Sequence, residues 1–161
     1  MADAEDEASA LANVIGSLTR LGMRPTLLML DSEDGRLRVQ DLGISASRIR
    51  RASRLVGIKV SQFSMAPDAT EPHRRVMAQH ETVFVEDAAA LAAQGLPGAV
   101  RPLMRPLMSL LGYTAIILSP IVVNGSAVGF ISVRHDDIVP SDTSAVALFT
   151  EQLGAAMAVC V

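Results

Sequence analysis

Apolar residues recur at spacings of three and four through residues 8–21, where Leu11, Val14, Ile15, Leu18 and Leu21 make one stripe. That period predicts a helix, and Gly22 stops it. After Pro25 the pattern changes. Residues 26–30 form a short apolar run, the polar stretch from Asp31 to Gly35 ends in an Asp-Gly step suited to a hairpin connection, and residues 37–41 read as a second strand. Residues 46–55 predict a short basic helix. Beyond Gly57, residues 58–63 alternate apolar and polar as an edge or half-buried strand does. Residues 67–72 read as loop, 73–80 as a short helix carrying Val76 and Met77, 82–85 as a brief strand, and 88–94 as a helix stopped by Gly95.

The next segment repeats itself: Arg101-Pro-Leu-Met104 is followed at once by Arg105-Pro-Leu-Met108. A proline inside a helix costs about 3 kcal/mol, so the pair predicts a break near Arg105 and a regular helix only over 106–111, ended by Gly112. Residues 113–118 and 127–133 are the strongest strands in the chain and should be central; they are joined through 119–123 and an Asn124-Gly125 turn. A closing helix follows, capped by Ser141 or Asp142, with Val146, Leu148, Phe149, Leu153, Ala156, Met157 and Cys160 on its apolar side.

Length and composition narrow the classes. The chain has 161 residues, half of them apolar, which suits one domain spanning 1–161 with a real core; the acidic residues 1–7 are expected to be disordered. A net charge of −3 and an aromatic content of 3% argue against nucleic acid, which needs a basic stripe or stacking rings. One cysteine, Cys160, excludes a disulfide framework and a zinc site built on paired cysteines. No apolar run is long enough to insert in a bilayer, and the acidic start is unlike an export signal, which leaves a cytoplasmic location as the expectation.

Several short patterns succeed one another along the chain: Leu30-Asp31 with Asp34-Gly35, then Val85-Glu-Asp87, then Ser119-Pro-Ile121, then Gly125 and Gly129-Phe-Ile-Ser-Val133. In that order and spacing, over about residues 11–159, they resemble GAF domains, the sensor modules of bacterial two-component histidine kinases and related signalling proteins. The resemblance implies an α+β fold, GAF/PAS-like: a central antiparallel sheet of five to six strands, with the N- and C-terminal helices packed on one face and short helices and loops on the other. The departures from the family also inform. Where cyclic-nucleotide-binding relatives show an Asn-Lys pair followed by Phe and Asp-Glu, this chain reads Arg134-His-Asp-Asp-Ile138, so cyclic nucleotide is disfavoured. A bilin is disfavoured by the single tyrosine and the distal cysteine. The methionine sulfoxide reductases of the family need a resolving thiol, and Cys160 has none.

The resemblance places a pocket between the sheet and the irregular middle of the chain, lined by Phe63, Met65, Met77, Phe84, Leu103, Met104, Leu107, Met108, Tyr113 and Ile117. Methionines fill core gaps equally well, so plain packing competes with ligand binding at each position. His80, just before a strand bordering that pocket, is the candidate axial ligand if the domain holds haem, whereas surface or loop histidine is the ordinary reading of His73, His80 and His135. Arg48 and Arg51, with Arg50 and Arg54 at helical spacing, and the pair Arg101 and Arg105, are candidate anion contacts, against the ordinary reading of a solvated face. Asp136 and Asp137 follow a strong strand but lack a third group for acid–base work, and no nucleophile elbow, phosphate loop or metal-spaced cluster occurs.

The expected function is therefore sensing without catalysis. A small molecule bound in the apolar pocket shifts the middle segments, and the terminal helices, paired in a homodimer, carry the change to an output such as a histidine kinase. The alternatives are a haem or redox sensor and a ligand-free structural dimerisation module. Neither the ligand nor the output domain is legible in the residues.

Overall fold

A computed structural model of the chain describes residues 2–41, 44–57, 59, 63–94 and 98–159. In chain order the elements are α1 (Ala2–Arg20), β1 (Arg24–Leu30), β2 (Leu37–Asp41), α2 (Ala46–Val56), β3 (Ser64–Met65), α3 (Glu71–Gln79), β4 (Val83–Val85), α4 (Ala88–Gln94), α5 (Arg101–Leu111), β5 (Ile116–Val123), β6 (Ser126–Arg134), a 3-10 turn (Pro140–Asp142) and α6 (Thr143–Val159). Asn124 and Gly125 both take positive φ, 50° and 80°, which is what a two-residue hairpin turn with the strands' own twist demands. They lock β5 against β6. The six strands form one sheet in the order β3-β2-β1-β6-β5-β4, every neighbouring pair antiparallel.

Alternation along the strands sorts side chains into two layers. Leu27, Ile117, Ile131 and Val133 face α1 and α6, where Leu18, Val146, Leu153 and Met157 complete one core. Leu28, Ile116, Leu118 and Phe130 face the opposite way, toward α3 and α4, with Val76, Met77 and Leu91. Strands buried on both faces read as continuous apolar runs, which is why residues 27–30 lack a polar alternate. A third cluster, Ala52, Met104, Leu107 and Leu111, fastens α2 and α5 together on the second side. Arg38 ties the β1–β2 turn, its Nε donating to Asp31 Oδ2 at 2.7 Å and its Nη2 to Asp34 Oδ2 at 2.6 Å.

Four elements differ from the sequence expectations. α5 is one unbroken helix from Arg101 to Leu111, not a break at Arg105 followed by a helix over 106–111. Pro102 sits in the first turn, where no donor is needed, so Pro106 forfeits a single bond and the burial of Met104, Leu107 and Leu111 outweighs it. β5 begins at Ile116 and runs through Ser119 and Pro120 to Val123, because this stretch pairs along its length with β6 and takes up the irregularity between Ile121 and Val122. α1 starts at Ala2, ahead of its apolar stripe. On α6 the inward face is Val146, Thr150, Leu153, Gly154 and Met157; Leu148 and Ala156, assigned to the apolar side, point outward. The strand predicted over 58–63 falls mostly outside the described residues, as do the Gly95 stop and Cys160; the edge strand described next to β2 is β3. Among the described residues no helix is long and apolar enough to cross a membrane.

The first and last helices meet each other on one face of the sheet, with α6 lying along β5. Approach is close at Gly154, where a Cβ would run into the carbonyl oxygen of Val122. A chain of hydroxyls reinforces the contact: Thr82 Oγ1 bonds Ser119 Oγ at 2.7 Å, and Ser119 Oγ bonds Thr150 Oγ1 at 2.7 Å.

Candidate functional site

On the other face the sheet is covered incompletely. Between β1, β5 and β6 below and α3, α4 and α5 around it lies a cavity of about 840 Å³, lined mostly by apolar side chains. The floor follows from strand parity. Positions on this face of β1 and β6 are paired across the ladder, Leu28 with Phe130 and Thr26 with Ser132 in the cavity lining and, one rung further along and outside the lining, Arg24 with Arg134. Moving along the two strands, the rungs pass from apolar to hydroxyl to guanidinium. Met104, Leu107, Met108 and Leu111 at spacings of three and four supply the α5 wall, and Met65 and Phe63 the β3 side.

Tyr113, released from α5 by Gly112 at φ 76°, closes the polar end. Its hydroxyl bonds Thr26 Oγ1, and its ring carries the Arg134 guanidinium, 4.2 Å from the centroid. Arg134 is 2% exposed, and its Nε and Nη1 have no hydrogen-bond partner. Burial is the main cause pulling its pKa below the ordinary arginine value; Tyr113 opposes this, and the like charges of Arg24 and Arg48 add to it. Arg24 itself meets Asp136 at 3.5 Å.

His73 enters the cavity from α3. Thr70 caps that helix by accepting the His73 amide at 3.4 Å, and the same oxygen lies 2.7 Å from His73 Nδ1. The arrangement that serves both contacts has the Thr70 hydroxyl donating to Nδ1, with the ring proton on Nε2. Burial against Phe130, whose ring centroid is 5.4 Å away, pushes the imidazole pKa down to about 4, so the ring is neutral at physiological pH.

Of the ten residues expected to line the pocket, Phe63, Met65, Met104, Leu107, Met108 and Tyr113 do so. Ile117 and its ladder partner Phe84 belong to the opposite layer, against the terminal helices. Met77 is packed under α3 in the core, and Leu103 is half-buried on α5, turned away from the Met104 face. His80 does not line the cavity; it is exposed and caps α3 in the left-handed region at φ 56°. None of Arg48, Arg51, Arg101 and Arg105 lines it either. All four are exposed, and Arg105 is engaged with Asp87 at 3.0 Å, the same carboxylate that accepts the Ala90 amide at the start of α4. Of these, Arg48 acts on the site as a like charge near Arg134. Thr26 and Ser132 in the lining and Arg134 behind Tyr113 were missed, although polar residues at alternate positions inside apolar strands signal a shared polar face; His73, whose ordinary reading is a surface or loop histidine, is instead buried on α3 and lines the cavity.

A comparison with protein-family models gives no match, and neither does a comparison with curated proteins. Solved structures do match. The GAF domain region of a Geobacter sulfurreducens PCA protein superposes with a TM-score of 0.66 at 19% identity, covering 99% of this chain and 97% of that one. The chain has the GAF fold. A GAF domain/HD domain protein from Geobacter sulfurreducens gives 0.67 at 14% identity over 96% and 94% of the two chains. Residues 122 to 287 of a methyl-accepting chemotaxis protein give 0.61 at 19% identity over 93% and 86%. In this GAF fold the short patterns noted in the sequence have structural work: Asp31 and Asp34 hold Arg38, Asp87 starts α4, Ser119 reaches α6, and a Cβ on Gly129 would strike the backbone of Leu28.

Proposed function

We propose that the chain is the sensor module of a cytoplasmic signalling protein. It binds a small molecule in the cavity above β1, β5 and β6 and passes a shape change through α1 and α6 of a homodimer to an output such as a histidine kinase, without catalysis of its own. The observation that carries this reading is the cavity itself. It is roomy, mostly apolar and furnished with a few polar groups at one end, which is the make-up of a ligand site rather than of a filled core. That room also weighs against the ligand-free structural module. The haem alternative loses its proposed ligand, since His80 stands outside the cavity.

The route to the output is supported by the hydroxyl chain from Thr82 through Ser119 to Thr150, which ties the sheet to α6. Leu21, Leu148 and Val159, exposed on or beside the terminal helices, offer apolar surface for a partner helix. Native mass spectrometry tests the reading. The expected result is a dimer carrying extra mass that disappears in a cavity-filling Met104→Trp variant. A bare monomer overturns it, and a bare dimer returns the structural module to first place.

A further inference from the structure

The side chain that the cavity leaves unexplained is Arg134. Among the described residues, its Nε and Nη1 are the only buried side-chain polar atoms without a hydrogen-bond partner, and no carboxylate forms an ion pair with it. Arg24 and Arg48 both oppose its charge, and the Tyr113 side chain favours it. A buried guanidinium with open donors is costly to maintain, and folded proteins keep such groups where something else completes them.

Resting on the sensor reading above, we propose that the ligand is an apolar molecule ending in a carboxylate, and that Arg134 is the residue that pairs with that carboxylate. The three rungs of β1 and β6 already lay out such a molecule. Leu28 and Phe130 in the lining meet an apolar body, Thr26 and Ser132 offer hydroxyls, and Arg134 occupies the next rung, just outside the lining. Arg24 is engaged with Asp136 and Arg48 is exposed, so one buried positive charge is left to neutralise; a monoanion suffices. Arg134 is covered by Tyr113, which does line the cavity, so the carboxylate reaches it by turning the Tyr113 ring aside and releasing the phenol from Thr26. Because Tyr113 follows directly on the end of α5, with its amide bonded to Met108 O at 2.7 Å, that movement is felt by the wall of the pocket.

Competition against a neutral solvatochromic dye, Nile red, tests this with decanoate and its uncharged analogue decanamide. Decanoate should displace the dye at a concentration about tenfold lower or less, since charge-assisted hydrogen bonds to a buried partner are roughly twice as strong as neutral ones. Arg134→Met should abolish the difference between the two competitors, and Arg134→Lys should keep part of it. Equal competition by the two molecules in the native protein, or a difference that survives Arg134→Met, overturns the assignment of Arg134 and leaves the cavity reading intact. A dye that does not bind, or that neither competitor displaces, overturns the cavity reading and this proposal with it. Circular dichroism of both variants shows that they are folded.

Discussion

Ser119 of β5 and Thr150 of α6 share a 2.7 Å hydrogen bond between two hydroxyls that are both buried. Ser119 stands between two partners, since its oxygen also meets Thr82 Oγ1, whereas Thr150 has a further acceptor on its own helix in Ala147 O at 3.0 Å. Removing the middle member therefore strands more than removing an end. Ser119→Ala is expected to cost about 1–3 kcal/mol and Thr150→Val about 1 kcal/mol in urea unfolding. A double variant that costs less than the sum shows that the two act as one network; simple additivity would mean they do not.

Gly154 has a different reason to be glycine. Its conformation is helical, but a Cβ there meets the Val122 carbonyl, which is backbone and cannot rotate away. Gly154→Ala should push α6 off β5 and lower stability by about 1–3 kcal/mol, a fall in Tm of several degrees for a domain of this size. Ala155→Ser, one position along on the exposed face, should change Tm hardly at all. Equal Tm values for the two variants would show that the helix is not seated as described.

His73 makes stability depend on pH. Its folded pKa of about 4 lies below the unfolded value of 6.5, so between the two the unfolded chain binds the extra proton. Stability falls as the pH drops from about 6.5 to about 4, and the loss from this group levels off below that, amounting to roughly 3 kcal/mol at most. His73→Gln keeps a side chain able to meet Thr70 and removes the titration. The difference between native and variant unfolding free energies, measured from pH 7.5 to pH 4, isolates the histidine from the carboxylates; a flat difference refutes the assignment.

Arg134 offers a test in the ligand-free protein. Replacing a buried, unpaired charge with an apolar side chain of similar length removes a desolvation cost, so Arg134→Met should raise stability by about 1–3 kcal/mol. Loss of the stacking on Tyr113 works against this but is the smaller effect, of order 1 kcal/mol. Chemical denaturation in the absence of any ligand decides the sign, and a destabilised variant would mean that the guanidinium is satisfied within the protein.

Much of the layout was legible because it rests on local pattern. The Asn124-Gly125 hairpin and the α1 stripe follow from turn chemistry and helical period, and the resemblance to GAF domains leads to six of the pocket residues. The errors cluster where two distant segments decide. The Arg101–Met108 repeat reads as a broken helix until the burial of Met104, Leu107 and Leu111 is seen to outweigh one lost bond. Thr150 and Gly154 look like interruptions of an apolar stripe on α6, yet they are the positions that let it sit close to β5.

By itself, then, the sequence determined the element order, the antiparallel sheet and the existence of an adaptable apolar middle, because periodicity and turn residues act over a few positions. Only the tertiary structure decided which residues share the cavity. Neighbours in a strand face opposite ways, so pairing register assigns Leu118 to the pocket and Ile117 to the layer under α1 and α6. The isolation of Arg134 is likewise invisible in one dimension: whether a charge is paired depends on every segment that folds around it, and among the described residues those segments bring two more arginines and a tyrosine but no acid paired with it.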